Sequence, residues 1–431
     1  MSDRIDRTAR TCCPVFEELA VAYHEAGHAV GAVLVDLGLV IETVTIKPGD
    51  GYLGQYTFED WHENLIPDVD DEDSVEIGED ERMYRDAEDT VSSLGAVAGA
   101  GGLGLLSCAC LDRMVGARVG RRFDTYEAVR HEVAEAKAGG GYAGINIMVA
   151  LQRDYEASVR AALEAGADAI VSGAGLPLSL PAIQKARDTA LIPIVSSARA
   201  LALICRRWER QHYRPDAVVL EGPLAGGHLG FRADQVELEE NALERLLPPV
   251  KEVARAHGDF PVIVAGGIYS HADIRRFLAL GADGVQLGTR FLATQESSAP
   301  AAYKEAVLRA RPEDILVASD PGSPCGLPFR VLRESPMYQS ALVRARPPKC
   351  TKGYVLLKDA QGRFTRCPAK TDNEHSFCIC EGLLSAGGYD ADEQEPLYTT
   401  GTSAARVDRV LPVAELMDEL AGVRDALPSA A

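Results

Sequence analysis

Short apolar runs alternate with amphipathic segments through the middle of the chain. Each run suits a buried β-strand, and each is followed, after a short loop, by residues whose apolar positions recur at helical spacing. The predicted strands are 103–107, 144–149, 168–173, 192–197, 216–222, 261–267 and 283–291. Strand–helix repeats with all-apolar strands indicate a parallel sheet covered on both faces. Seven such units in succession favour an α/β fold of the (β/α)₈ TIM-barrel type over a doubly wound sheet.

A barrel must close, and the only good upstream candidate for an eighth strand is "ETVTIKP" (42–48). An acidic stretch, "DVDDEDSVEIGEDERMYRDAED" (68–89), separates it from the repeats and is typical of a solvated linker. We therefore expect the first barrel strand to be atypical or missing. The predicted organisation is a small N-terminal α+β segment (1–66), an acidic linker (67–90), the barrel (91–297) and a loop-rich, cysteine-containing C-terminal extension (298–431).

The composition and net charge of the chain limit the classes of binding partner that we expect. The chain has 431 residues and a net charge of −20, which disfavours nucleic acid and anionic membranes. An uncharged run at 91–111 is long enough to cross a bilayer. It is rich in Gly, Ala and Ser, however, so a helix and a strand buried in a globular α/β protein fit it better. The charged N-terminus has no apolar segment behind it, and we expect a cytoplasmic protein.

Glycines follow four of the predicted strands at their C-terminal ends, where barrels of this type carry their functional groups. Glycine lets backbone N–H groups approach a ligand closely, and glycine loops after the last two strands form the usual phosphate site of such barrels. Four glycine loops in register favour a phosphate-bearing ligand over simple tight turns. These glycines are Gly173 and Gly175, then Gly226, Gly227 and Gly230, then Gly266 and Gly267, and finally Gly288.

His228 lies among these glycines, in "PLAGGHLGF" (223–231). Histidine titrates near neutral pH, so an accessible imidazole can take a proton from carbon or return one to a product. A single histidine is more often structural. Its place on a glycine-rich loop at a strand end nevertheless makes His228 the predicted catalytic residue.

The segments "GINIMV", "EGPLAGGHLGF" and "VIVAGGIYSHADIRRFLALGADGVQLGTRFLATQES" together resemble the nitronate monooxygenase family, formerly called 2-nitropropane dioxygenases. The resemblance covers about residues 92–297 and extends more loosely to the C-terminus. Flavin-dependent enoyl-ACP reductases share this fold and these loops. The family opens its barrel with an apolar strand and a Gln-Gly-Gly-Met-like loop, which this sequence lacks.

The resemblance implies an FMN-dependent oxidoreductase that converts alkyl nitronates or nitroalkanes into carbonyl compounds and nitrite, with O₂ as electron acceptor. An enoyl-ACP reductase-like activity is the alternative, and a homodimer is left open. His228 would lie beside the flavin N5. The residues implied to bind FMN are Gly266, Gly267, Gly288 and Thr289 at the phosphate, Asn146, Ser172 and Gly173 near the ring and ribityl chain, and Gly226 and Gly227 in the histidine loop.

Five of the ten cysteines cluster after residue 320, in spacings that match neither a zinc ribbon nor a ferredoxin. A chain kept in a reducing compartment favours structural free thiols here. Four thiols could still complete a tetrahedral zinc site or hold an iron–sulfur cluster. The set for such a site is Cys350, Cys367, Cys378 and Cys380.

A second metal motif, "AYHEAGHAVG" (22–31), contains H-E-x-x-H. On a helix, His24 and His28 share one face and can meet one Zn²⁺, with Glu25 as base toward a bound water. Residues 21–59 resemble the metallopeptidase domain of FtsH-type proteases. That family takes an acidic third ligand from a later helix, where this sequence changes to the barrel pattern. A zinc peptidase is therefore the second alternative function.

Overall fold

A curled parallel sheet of seven strands forms the centre of the fold in the computed structural model. The structure describes residues 93–186, 188–324, 326–343, 367, 369, 375–389 and 394–422. In chain order its strands are β1 (Leu103–Ser107), β2 (Tyr142–Met148), β3 (Ala169–Gly173), β4 (Ala190–Val195), β5 (Val218–Glu221), β6 (Gly227–His228), β7 (Val262–Ala265), β8 (Gly284–Gln286), β9 (Ile315–Ala318) and β10 (Phe329–Leu332).

The large sheet runs in the order β1-β2-β3-β4-β5-β7-β8, and each neighbouring pair is parallel. All seven predicted strands are present, and the TIM-barrel-like α/β fold is confirmed. The last predicted strand is too long: it ends at Gln286, and the residues from Thr289 to Leu292 are helical. Gly288 lies between this strand and the helical residues.

The sheet is buried on both faces, which explains the unbroken apolar runs. Alternate side chains, such as Leu105, Val219 and Ile263, fill the inside of the curl. Their neighbours, such as Leu220 and Val264, pack outward among the helices. Within the described residues no strand lies between β8 and β1, and these two do not pair. The candidate closing strand at 42–48, like the predicted 1–66 segment and the linker at 67–90, lies outside the described residues.

Helices cover the outside of the large sheet, and some of the later ones pack within the C-terminal region instead. They are α1 (Ser93–Gly99), α2 (Leu111–Val119), α3 (Thr125–Ala138), α4 (Tyr155–Glu164), α5 (Leu180–Ile183), α6 (Ala198–Glu209), α7 (Leu243–Ala256), α8 (His271–Ala279), α9 (Thr289–Leu292), α10 (Ala301–Arg309), α11 (Pro336–Leu342), α12 (Ile379–Ala386) and α13 (Val413–Ala421). The uncharged run at 91–111 contains α1 and β1, as expected. No described helix has the length and apolar content needed to cross a membrane.

Local sequence explains where several of these helices begin. Asp124 caps α3, because its carboxylate accepts the Glu127 N–H at 2.8 Å while the Glu127 side chain accepts the Asp124 N–H at 3.2 Å. Such a reciprocal capping box satisfies two backbone donors that the first helical turn leaves unpaired.

The region after residue 298 carries more regular structure than its loop-rich sequence pattern predicted. Strands β6, β10 and β9 form a second, antiparallel sheet, which joins the histidine loop to the C-terminal region. A separate apolar cluster, including Tyr303, Phe329 and Phe377, packs around it. Helix α13 packs on the barrel through Val413, Leu416 and Leu420. The C-terminal region is therefore held against the end of the barrel where the functional loops lie.

Candidate active site

The last inward-facing layer of the sheet includes three side chains that carry an amide or a carboxyl group: Asn146 of β2, Glu221 of β5 and Gln286 of β8. Glu221 and Gln286 are both in register with Ala265 of β7, whose side chain belongs to the inner cluster. Asn146 is only 1% exposed, and within the described residues neither its amide nitrogen nor its oxygen has a partner. The buried Oε1 of Gln286 is also unpartnered there. Because each such buried group costs about 1–3 kcal/mol, these amides indicate a polar ligand.

The first of two cavities above this layer, called here the glycine cavity, is formed by the loops after β5, β7 and β8. Gly266 and Gly267 have φ values of +98° and +78°, in the region that favours glycine. A Cβ at Gly266 would lie 3.0 Å from both the Gly222 oxygen and the Ala225 nitrogen. A side chain would therefore crowd the backbone that shapes the cavity. Its lining also includes Glu221, Gly226, Gln286, Gly288 and Thr289.

The C-terminal region supplies the remaining wall of the glycine cavity, through Thr399, Thr400, Gly401 and Ser403. The Gly401 N–H donates to the Thr289 hydroxyl at 3.0 Å, and the Thr402 N–H donates to the Leu224 carbonyl at 3.1 Å. A Cβ at Gly226 would lie 2.7 Å from the Gly401 nitrogen, so this approach also requires glycine. Sequence analysis missed this wall, although the polar run "TTGTS" (399–403) was a signal that could have pointed to it.

The second cavity, called here the histidine cavity, contains His228 and lies over the ends of β2 to β5. Its walls combine apolar side chains with polar ones, and Asn146 and Glu221 are among the latter. Glu221 lines both cavities, which therefore adjoin at this residue. The remaining lining residues include Met148, Gly173, Ile194, Ser196, Gly230 and Leu327.

His228 is held by the C-terminal region. In the antiparallel sheet it pairs with Phe329, whose ring lies edge-on to the imidazole with centroids 4.7 Å apart. The His228 Nε2 lies 3.1 Å from the Ser323 hydroxyl. These contacts fix the plane of the ring while it lines the cavity. The sequence did not indicate that Ser323 or Phe329 contacts His228, because both lie about a hundred residues after it in the chain.

A buried arginine holds the loop before the histidine. The guanidinium of Arg330 is 5% exposed and donates to the carbonyls of Pro223 at 2.6 Å and Ala225 at 2.8 Å. Burial lowers the pKa of Arg330 to about 10, so it remains charged at neutral pH. The loop that presents Gly226, Gly227 and His228 is thus fixed by a residue that sequence reasoning also missed.

Two predicted cofactor residues are placed differently from the rest. The Ser172 hydroxyl donates to the Ile147 carbonyl at 2.8 Å and lies 2.8 Å from the Tyr155 hydroxyl on α4. These hydrogen bonds tie Ser172 to β2 and α4, and the residue lines neither cavity. Gly227 is buried in β6 and lines neither cavity either. The structure brings together Asn146, Gly173, Gly226, Gly266, Gly267, Gly288, Thr289 and His228 along the two adjoining cavities.

The metal predictions fall mostly outside the described part of the chain, which excludes His24, Glu25, His28 and Cys350. Cys378 packs in a small buried cluster with Cys367 and Ala369. Cys380 instead packs against the barrel core, where its carbonyl accepts a weak hydrogen bond from the Cys110 thiol at 3.8 Å.

Among the described residues, one other group brings metal-binding atoms together: His131, Glu132 and Glu135 on α3. Arg118 forms ion pairs with both of its glutamates. Arg118 therefore already supplies this cluster with a cation, and none of its three residues lines either cavity.

The fold and the cavities define a barrel-like α/β protein with a glycine-lined cavity beside one that contains a histidine. A family model described as nitronate monooxygenase matches residues 90–422. The chain belongs to the nitronate monooxygenase family. The match spans both the strand–helix repeats and the C-terminal region that completes the glycine cavity.

Individual relatives agree with this placement. A nitronate monooxygenase of Pseudomonas aeruginosa is 43% identical over 211 residues, covering 48% of this chain and 50% of the relative. A (3aS,4S,5R,7aS)-5-hydroxy-7a-methyl-1-oxo-octahydro-1H-indene-4-carboxyl-CoA dehydrogenase of Mycobacterium tuberculosis is 29% identical over 219 residues, covering 50% of this chain and 56% of the relative. The chain thus spans about half the length of these curated relatives.

Solved structures share the fold. FabK from Thermotoga maritima superposes with a TM-score of 0.55 at 25% identity, covering 76% of this chain and 86% of that one. A nitroalkane oxidase from Streptomyces ansochromogenes gives a TM-score of 0.54 at 22% identity, covering 78% and 93%. These likenesses establish the architecture and not the reaction.

Proposed function

We propose that this protein is an FMN-dependent oxidoreductase of the nitronate monooxygenase type, which oxidises alkyl nitronates or nitroalkanes to carbonyl compounds and nitrite. The observation that carries the proposal is the junction of the two cavities. A glycine cavity suited to a phosphate adjoins a histidine cavity at one residue, Glu221. A phosphate-bearing cofactor seated in the first could therefore extend toward the second.

The residues present fit FMN. The backbone at Gly266, Gly267, Gly288 and Thr289 would hold the phosphate, where added side chains would crowd the loops. The unpartnered amides of Asn146 and Gln286 offer hydrogen bonds to polar groups of the same cofactor. When bound, FMN would supply the redox chemistry, accepting electrons from the substrate and passing them to O₂.

The histidine cavity suits a small alkyl nitro compound. Met148, Ile194 and Leu327 provide apolar surface for the alkyl group. His228, oriented by Ser323 and Phe329, would take the proton from the α-carbon of a neutral nitroalkane. The resulting nitronate is the species that is oxidised.

One preparation of the full chain tests this function. We expect a flavin absorbance spectrum, present on purification or after addition of FMN, and O₂ consumption with nitrite release when propane-2-nitronate is added. A chain that shows no flavin absorbance even with added FMN would overturn the proposal. NADH-dependent reduction of an enoyl thioester, without nitronate turnover, would favour the reductase alternative instead.

The zinc peptidase alternative stays a prediction, because its motif at 22–31 lies outside the described residues. Zinc bound at one equivalent and lost in His24→Ala would support it. The predicted cytoplasmic location and homodimer likewise stay predictions.

Ser323 should act as a positioning residue for His228. Removing its hydroxyl in Ser323→Ala takes away a hydrogen bond worth about 0.5–1.5 kcal/mol, so we expect kcat to fall by roughly 2- to 10-fold. The pH profile of kcat should shift as well, because the hydroxyl contacts a nitrogen that can carry the proton. Ser323→Thr, which keeps the hydroxyl, should recover both. An unchanged pH profile in Ser323→Ala would show that the contact is only structural.

A further inference from the structure

Glu221 is the acidic residue of the candidate site, and sequence analysis did not single it out. It ends β5, two residues after Val219, so both side chains project to the inside of the sheet. It lines the glycine cavity and the histidine cavity alike. As far as the structure describes the two linings, the other ionisable side chain is His228, and no lysine, arginine or second carboxylate contributes to either cavity.

Among the described residues that line the two cavities with Glu221, none is a lysine or an arginine. On one side lie Ile194 of β4 and Ser196, which follows that strand, and on the other lies the register partner Ala265 of β7. Helix α7 packs behind the end of β5 through Leu243, 3.2 Å from the position of a Cβ on Gly222. The nearby guanidinium of Arg330 is committed to the carbonyls of Pro223 and Ala225.

A carboxyl in these surroundings holds its proton. Among the described residues Glu221 forms no hydrogen bond or ion pair, and burial raises its pKa to about 8. At neutral pH the side chain is therefore mostly an uncharged acid that faces both cavities. It can then donate a hydrogen bond to an anion, whereas its ionised form would repel one across a site of low dielectric.

We propose that Glu221 makes anion entry to the histidine cavity depend on its protonation, and so selects for small monoanions such as nitronates and nitrite. This inference rests on the proposed function. It names Glu221 as the residue that sets which substrate charge is accepted and the pH above which anions bind poorly. Glu221 lines both cavities, so an anion held where they adjoin would contact its carboxyl group.

Nitrite binding to the FMN-loaded full chain tests the proposal directly. With flavin absorbance as the signal, we expect the Kd for nitrite to rise by about 10-fold per pH unit above the carboxyl pKa, because one proton is bound with each anion. In Glu221→Gln the side chain stays neutral, so this rise should disappear. Glu239→Gln, which neutralises an exposed carboxylate just before α7, should behave as the unaltered chain.

A second variant separates Glu221 from the histidine. In His228→Gln the pH-dependent rise should persist, since the titrating carboxyl remains. The proposal is overturned if the rise in Kd survives in Glu221→Gln or is absent from the unaltered chain. It is also overturned if the rise vanishes in His228→Gln, or if nitrite fails to bind the unaltered chain below pH 7. Loss of nitronate turnover or of FMN binding in the unaltered chain would instead overturn the proposed function.

Thermal unfolding provides a measurement that needs no flavin. The folded chain keeps this proton to about pH 8, whereas the unfolded chain releases it near the ordinary value of 4.5. The unfolding free energy contributed by Glu221 therefore falls as pH rises between these values and is constant outside them. The Tm of Glu221→Gln should exceed that of the unaltered chain by an amount that grows across this window. A difference in Tm that is independent of pH would show that Glu221 is already ionised, and would overturn the proposal.

Discussion

Replacing His228 with asparagine should lower kcat for a neutral nitroalkane by about two to four orders of magnitude, the usual contribution of a positioned general base. The substitution removes the imidazole that lines the histidine cavity beside Asn146 and Glu221. A preformed nitronate has already lost its α-proton, so its oxidation should be slowed much less. Steady-state O₂ uptake with 2-nitropropane and with propane-2-nitronate measures both effects.

The control for this variant is His257→Asn. His257 follows α7 and lies against Glu209 on the surface, and it lines neither cavity. That variant should keep its activity on both substrates. Equal losses on the two substrates in His228→Asn would mean that the histidine binds or orients the nitro compound and does not remove its proton. Bound flavin, measured by absorbance, should be unchanged in both variants.

Replacing Gly266 with alanine should weaken FMN binding by at least about 10-fold, because one misplaced backbone turn disrupts several hydrogen-bond donors to the phosphate. Gly266 has φ +98°, and a Cβ added there would lie 3.0 Å from two backbone atoms of the loop after β5, which lines the glycine cavity. Fluorescence titration of the flavin-free chain with FMN measures the affinity.

Gly281 offers a matched control, since its φ is +99° but a Cβ there has no heavy atom within 4 Å. Gly281→Ala should therefore suffer the same backbone strain, of about 1–2 kcal/mol in stability, and should keep its affinity for FMN. If both variants bound FMN equally well, the glycine cavity would not be the phosphate site. Comparing the two separates a local loss of binding from a general loss of stability.

The fold was largely accessible from the sequence because its strands are buried on both faces and its helices are capped locally. Unbroken apolar runs such as 103–107 leave little choice besides a covered strand. The N-cap of α3 is equally local, because the Asp124 carboxylate accepts the N–H of a residue only three positions later. The last strand was predicted too long for the same reason, since the apolar Phe291 at its predicted end suits a buried strand but lies buried in helix α9.

The candidate site was accessible in part. Gly266 and His228 line adjoining cavities, as their places after strands predicted, because the ends of parallel strands converge on one side of the sheet. Ser172 was misplaced, because being at a strand end does not say which face of the sheet a side chain takes. Its hydroxyl lies toward Tyr155 of α4 on the outer face. A shift of one residue along a strand reverses the face.

By itself, the sequence determined the strand–helix repeats, the glycine loops and the histidine among them, since each depends on residues within a few positions of one another. Only the tertiary structure showed that Thr400 and Gly401 wall the glycine cavity, that Ser323 and Arg330 hold the histidine loop, and that Glu221 joins both cavities. Apart from Glu221, these residues lie roughly a hundred or more positions from the loops they contact, beyond the reach of any local periodicity. Glu221 lies within the predicted strand, but its proposed role depends on which side chains pack around it, and no lysine or arginine is among the described residues that line the two cavities.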